Sequence, residues 1–179
     1  MNGFLRFALI AGTVAVATHL LAVGAAPRLF MGAALRRIAE TAGGWYRLHH
    51  APRVTPQTQQ IVRSSPDIAY TTCALDLSAG PARVVVQPSP GYWSAAVYAA
   101  NTDVVMVRDD REAGGRALHL LVVGDRTPLI ARPDEIVVRA PGDKALVLVR
   151  RLAPDAASFA AVDAARKADS CAAVEIDVG

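Results

Sequence analysis

A run of twenty residues near the start of the chain, residues 7–26, carries no formal charge and lies between Arg6 and Arg28. An α-helix rises about 1.5 Å per residue, so this run covers roughly 30 Å, the thickness of the hydrocarbon core of a bilayer. The sequence therefore predicts an N-terminal transmembrane helix, which we assign to residues 1–28.

A cleavable signal peptide also begins with a basic residue and an apolar stretch. Val23, Gly24 and Ala25 form only a weak small-x-small cleavage site, and Pro27 excludes a cut directly before it. The apolar stretch is also longer than the roughly 7 to 15 residues of a signal-peptide core. We therefore expect a retained, single-pass anchor in the inner (plasma) membrane.

The remaining chain of about 150 residues is long enough for one domain with a hydrophobic core. Of the 19 basic and 16 acidic residues, only Arg6 precedes residue 27, so this part has a net charge of 18 minus 16, or +2. Such a balanced charge gives no indication of nucleic acid as a partner. No phosphate-binding loop or nucleophile motif is present, and the sequence predicts no cofactor.

Seven short β-rich segments, separated by turn residues, follow residue 66. This pattern is typical of a mainly β protein, and we predict an antiparallel β-sandwich or jelly-roll-like domain over residues 67–179. No long helical pattern separates the segments, which disfavours a parallel βαβ sheet. The predicted strands are Ile68–Leu77, Arg83–Gln87, Tyr92–Ala100, Val104–Val107, Leu118–Val123, Glu135–Arg139 and Ala145–Arg151.

Residues 29–66, between the anchor and the domain, are predicted to form a juxtamembrane helix and a proline-broken connector. The helix should end at Gly43 and Gly44, and it could continue the membrane helix past Pro27. Trp45 fits either the membrane interface or packing beneath the domain. At the other end of the chain, residues 155–168 have the apolar spacing of a terminal amphipathic helix.

Cys73 and Cys171 fit no metal-binding spacing. If the domain faces an oxidising compartment they could pair and close a loop of about 97 residues, contributing about 4 to 5 kcal/mol of stability. The alternative is two free thiols.

Several short segments resemble motifs of the domain of unknown function 1254 family, and they follow one another in the same order as in that family. They are Ser-Pro-Asp-Ile-Ala-Tyr at residues 65–70, Asp-Leu-Ser-Ala-Gly-Pro at 76–81, Gly-Tyr-Trp-Ser at 91–94 and Asn-Thr-Asp at 101–103. With its anchored start, the chain looks like a short membrane-attached branch. The resemblance implies a jelly-roll-like domain and no particular reaction, and longer members append a second domain.

Four residues in these family-like segments are candidates for ligand binding, namely Asp67, Tyr70, Asp76 and Asn101. They could line a pocket of a small-ligand binder or a hydrolase-like enzyme. Asp67 and its neighbours could equally shape the turn into the first strand.

The histidines predict no metal site. His49 and His50 are adjacent and diverge on a helix or a strand, and His119 lies in an apolar strand. The clustered carboxylates at residues 109–112 alternate with arginines, which favours a solvated loop over a cation site. His19 is the one ionisable residue in the membrane run, and it either contacts a neighbouring helix or is placed passively.

An anchor, a balanced surface and the lack of a catalytic motif favour a non-catalytic envelope protein that binds another envelope component. The sequence features predict opposite orientations of the domain relative to the membrane. Arg28, Arg36 and Arg37 follow the anchor whereas Arg6 precedes it, which favours a cytoplasmic domain. The possible disulfide and the resemblance favour an extracytoplasmic one, which we predict.

Overall fold

The computed structural model describes residues 2–59, 64–125 and 131–174. Within them, one helix is long and apolar enough to cross a membrane. This helix, α1 (Gly3–Ala42), continues through Pro27 and ends at Gly43, which has a left-handed φ of 79°. The residues around Pro27 are mostly good helix formers, so the loss of one N–H does not end the helix. The predicted juxtamembrane helix is the last part of α1.

The rest of the described chain is mainly β and forms two sheets. Two further helices are short: α2 (Asp110–Ala113) and α3 (Ala156–Arg166). The strands are β1 (Leu48–His50), β2 (Ile68–Asp76), β3 (Ala82–Val86), β4 (Trp93–Ala99), β5 (Val104–Asp109), β6 (Leu118–Val123), β7 (Ile136–Arg139), β8 (Lys144–Leu152) and β9 (Ser170–Ala173).

Sheet A has the strand order β1-β2-β8-β4-β5, and sheet B has the order β7-β6-β3-β9. Their inner faces share one apolar core, in which Leu75 and Val147 of sheet A meet Val84 and Leu120 of sheet B. In β8 every second residue from Ala145 onward is buried, as expected for a strand with one face toward a core. In the described chain the sheets do not close into a barrel.

One strand pair departs from the predicted antiparallel arrangement. β6 and β7 run parallel, with Leu120 opposite Ile136 and Val123 opposite Arg139. Parallel neighbours need a connection of about a dozen residues, and residues 124–135 provide one. The expectation of a purely antiparallel sandwich was therefore wrong for this pair.

Two strands were not predicted. β1 lies in the stretch assigned to the connector, and it pairs with β2 at one edge of sheet A. β9 follows α3 and pairs with β3 at one edge of sheet B. The charged stretch predicted as a solvated loop contains α2, whose first turn is capped by the Asp109 side chain.

Candidate functional site

The four predicted ligand-binding residues do not converge in this fold. Asp67 precedes β2 and Asp76 ends it, so they lie roughly 30 Å apart along the strand. Asp76 shapes the next turn, because its carboxylate accepts hydrogen bonds from the Ser78 N–H (3.3 Å) and hydroxyl (2.6 Å). The Tyr70 hydroxyl accepts a hydrogen bond from the Ser65 N–H at 2.9 Å.

Asn101 has a similar local role. Its amide nitrogen donates to the Asp103 carboxylate at 2.6 Å, and its amide oxygen accepts from the Asp103 N–H at 3.1 Å. Both bonds close the turn between β4 and β5. The side-chain hydrogen bonds of Tyr70, Asp76 and Asn101 described here are thus with their own turns and strand ends.

The histidines also lie apart. His50 points toward the interior, where its Nδ1 lies 3.0 Å from the Thr71 hydroxyl. His119 is on the outer face of sheet B, where its Nδ1 lies 2.9 Å from a carboxylate oxygen of Asp134. No group of three or more metal-ligating side chains occurs in the described ranges.

A buried ion pair that the sequence did not predict joins the two sheets at one end of the sandwich. The side chains of Arg151 and Asp169 are each only 1% exposed. Both Arg151 Nη atoms donate to the Asp169 carboxylate at 2.9 Å, and Nη2 also donates to the Gln87 carbonyl. Asp169 in turn accepts the Gln87 N–H at 2.8 Å. These bonds tie β8 to the end of β3 and to the segment entering β9.

A second buried arginine fixes α3 to sheet A. Arg166 is 2% exposed, and its guanidinium donates to the Asp163 carboxylate. It also donates to the main-chain carbonyls of Tyr70 and Ala51, each at 3.0 Å. Hydrogen bonds from Lys167 and Arg166 lower the pKa of Asp163.

The side chains of Arg151, Asp163, Arg166 and Asp169 form a polar cluster that influences the pKa values of the neighbouring histidines. Burial lowers the pKa of His50, and the positive charge of Arg166 lowers it further. The same two causes lower the pKa of His49. Both imidazoles therefore resist protonation in the folded state.

The polar cluster supplies structural bonds rather than a reactive group. The guanidinium groups of Arg151 and Arg166 donate to protein acceptors, apart from the Arg151 Nε, which has no hydrogen-bond partner in the described chain. The alternation of residues along β8 could have predicted that Arg151 is buried, because this charged residue occupies an inward-facing position. The sequence contained no comparable signal for Asp169, which reaches Arg151 only through the return of the chain after α3.

The joint between α1 and the domain is the second arrangement that the sequence did not reveal. Leu35 and Ala39, on one face of α1, are buried against Ala74 on the outer face of sheet A. Trp45 packs in the same cluster, with the Lys144 ammonium 5.9 Å from its ring centre. Of the two alternatives for Trp45, the structure has the ring beneath the domain.

Tyr46 stabilises the joint between α1 and the domain by main-chain hydrogen bonds. Its N–H donates to the Ala74 carbonyl at 2.9 Å, and its hydroxyl donates to the carbonyls of Asp76 and Gly80. These bonds hold Tyr46 at a φ of 59°, a left-handed conformation that is uncommon outside glycine. Burial, together with the negative charge of Asp76, raises the pKa of Tyr46 to about 12, so the hydroxyl remains a donor at neutral pH.

A disulfide connects the two sheets across the core. Cys73 lies on β2 and Cys171 on β9, with a Cα–Cα distance of 6.7 Å. Cys73 is completely buried, whereas Cys171 is partly exposed. The bond fixes β9, an edge strand, to the centre of the fold.

These features define a class of protein: a two-sheet β domain firmly attached to the end of a long apolar N-terminal helix. The family model described as "Protein of unknown function (DUF1254)" matches residues 46–173. The chain belongs to this family, which confirms the resemblance inferred from the short motifs.

The solved structures that are similar to the chain include the following two. The VPA0106 protein from Vibrio parahaemolyticus is 14% identical with a TM-score of 0.56, and the match covers 62% of this chain and 28% of that protein. An uncharacterised protein from Burkholderia cenocepacia is 18% identical with a TM-score of 0.47, over 81% of this chain and 41% of that one. The chain thus spans well under half of each. No curated protein matches the chain.

Proposed function

We propose that this chain is a membrane-anchored envelope protein whose β domain is a non-catalytic module that binds another envelope component. The observation that carries the proposal is the joint between α1 and sheet A. Leu35 is fully buried there and Tyr46 makes three main-chain hydrogen bonds. A domain joined in this way keeps one orientation relative to its anchor, which suits docking onto another component held in the same membrane.

Retention of the anchor is supported by the helix itself. The apolar window of α1 is entirely unburied, so its side chains are free to face lipid. A signal sequence can also form an apolar N-terminal helix, but Ala25 and Ala26, at the weak cleavage site, are in the middle of a continuous helix. Proteolysis there would first require the helix to unwind.

An extracytoplasmic location is supported by the disulfide between Cys73 and Cys171, since such bonds persist mainly in oxidising compartments. The arginines that follow the anchor oppose this orientation under the positive-inside rule. The disulfide links the two sheets of the folded domain, and we therefore propose the extracytoplasmic orientation.

We further propose that the sandwich is a jelly-roll variant with α3 as an amphipathic cover at one end. The observation that supports this cover is that Val162 and Arg166, four residues apart in α3, are both buried while the other nine residues of the helix are exposed or partly exposed. Val162 packs against Ala69 and Ala153 of the domain.

Strand β5 is the best candidate for the contact with a protein partner. It forms one edge of sheet A, and the side chains of Val104 and Val107 are 55% and 49% exposed. Edge strands with exposed apolar side chains tend to pair with other chains. In the membrane, His19 could contact a helix of the same partner, because a polar group there gains from a hydrogen-bonding neighbour.

Site-specific photo-crosslinking in intact cells tests this proposal. A photoreactive amino acid at Val104 or Val107 should give one defined crosslinked product. The same amino acid at Leu152, which is also exposed but outside β5, is the matched control and should give none. Absence of a product from β5, together with a lone monomer in mild detergent, would count against an interaction module.

A further inference from the structure

The part of α1 that directly follows the apolar run carries exposed side chains that are both apolar and basic. We call it the collar and define it as Arg28, Leu29, Phe30, Arg36 and Arg37. Leu29 and Phe30 are 70% and 75% exposed, and the three arginines are also exposed. Because α1 is continuous through Pro27, the height of each collar residue above the apolar run is fixed by the helix.

The collar residues lie at two heights above the apolar run, which we call its two levels. Leu29 and Phe30 lie roughly 5 Å beyond Ala26, and Arg36 and Arg37 lie about 15 Å beyond it. The headgroup layer adds roughly 5 to 8 Å on each side of the hydrocarbon core, so the two apolar side chains fall within that layer. Helical side chains lean toward the N-terminus, which directs both guanidinium groups back toward the membrane.

The residues of the two levels are also stacked in pairs. Arg36 follows Leu29 by seven residues, and Arg37 follows Phe30 by the same interval, so each pair differs by only about 20° around the helix. Leu35, in contrast, is buried against the domain. Each pair therefore combines an apolar group at headgroup depth with a cation directly above it.

The cations of the collar have no acidic partner in the described chain. None of the six ion pairs found there involves Arg28, Arg36 or Arg37. Arg28 donates one hydrogen bond to the Gly24 carbonyl at 2.8 Å, which directs it toward the apolar run. The guanidinium groups of Arg36 and Arg37 thus remain available for an anion near the membrane surface, and Arg28 keeps only the donors that it does not use on Gly24.

We infer that the collar binds the phosphate groups of anionic phospholipids. Leu29 and Phe30 insert among the lipid headgroups, while Arg36 and Arg37 bind phosphate oxygens from above and Arg28 binds them from below. Guanidinium groups suit this ligand because they bind phosphate with two parallel hydrogen bonds. An acidic protein segment fits less well, since it would have to displace lipid around two exposed apolar side chains. The inference rests on the proposed anchoring.

The test uses the full-length oxidised protein in nanodiscs that contain phosphatidylcholine and phosphatidylglycerol. Native mass spectrometry measures which lipids stay bound. The wild type should retain the anionic lipid preferentially, and the double variant Arg36→Gln, Arg37→Gln should lower that preference by about 30-fold. The matched control, Arg111→Gln with Arg116→Gln, removes two exposed arginines from the domain and should leave the preference unchanged.

Equal lipid preference in wild type and collar variant would overturn the inference, as would an equal loss in the control. A carbonate wash of the source membranes separates this outcome from failure of the anchor. If the wild type stays in the washed membrane without any preference for the anionic lipid, the collar inference alone fails. If the wild type is extracted, the anchoring proposal fails as well.

Discussion

Reducing the disulfide between Cys73 and Cys171 should strongly destabilise the domain while leaving its fold unchanged. The two residues are 98 positions apart, so the bond closes a long loop in the unfolded chain. The chain-entropy relation then gives a stabilisation of about 4.7 kcal/mol. This is a large part of the roughly 5 to 15 kcal/mol by which a domain is normally stable.

Urea unfolding of the full chain in mild detergent, followed by tryptophan fluorescence, measures this effect. Trp93 is only 1% exposed and therefore reports on the core. With a slope of about 2 kcal/mol per molar urea, the midpoint should fall by about 2 M on reduction. The double variant Cys73→Ala, Cys171→Ala should resemble the reduced wild type, with a small additional loss from the missing sulfur at the buried position.

The result that would refute this reasoning is an identical midpoint for oxidised and reduced wild type. It would mean either that the sulfurs are not bonded or that β9 is not held to the core at this point. A midpoint that falls on reduction of the wild type but does not respond to reductant in the alanine variant would support the argument, because only the crosslink then differs.

Three further perturbations test the interior of the domain and its joint with α1. Replacing Asp169→Asn leaves the Arg151 charge buried without its partner, so the free energy of unfolding should fall by about 3 to 5 kcal/mol in urea titrations; a change below about 1 kcal/mol would contradict a buried pair. Because the folded state lowers the pKa of His50, the stability contributed by its neutral form is present above the unfolded-state pKa and is lost as pH falls from that value through the lower folded-state pKa. The loss of stability between pH 7.5 and pH 5.5 should therefore be smaller in His50→Gln, and a larger loss would show that the sign is wrong. Leu35→Ala removes a fully buried side chain from the contact with Ala74, so docking of α1 should weaken by about 2 to 5 kcal/mol and trypsin should cut faster after the helix; unchanged cleavage would argue against the joint.

The strands were largely predictable because apolar runs with turn residues at both ends are strong local signals. β6 was predicted at its observed bounds, and β2 and β8 within one residue. β1 and β9 were missed because their short sequences have little strand preference of their own. Each forms a strand only because a neighbouring edge offers main-chain hydrogen bonds, and no local pattern contains that information.

The polar interior was harder to predict than the strands. Arg151 could have been noticed, since it continues the inward-facing positions of β8. Its partner Asp169 could not have been noticed, because Asp169 approaches Arg151 only after the chain has passed through α3. Asp76 and Asn101 show a related difficulty: carboxylate and amide groups that hydrogen-bond their own turns cannot be distinguished by sequence from ligand-binding groups.

We propose that the chain is a retained anchor holding an extracytoplasmic, disulfide-bonded domain. Labelling of intact spheroplasts with a membrane-impermeant thiol reagent tests it most directly. The wild type should be unlabelled at first and labelled at Cys171 after treatment with an impermeant reductant, and Cys73→Ala should be labelled without reduction. The labelled protein should keep the mass of residues 1–26 and stay in the membrane fraction. Labelling that requires lysis of the cells, or a mature protein without the first helix, would contradict the account.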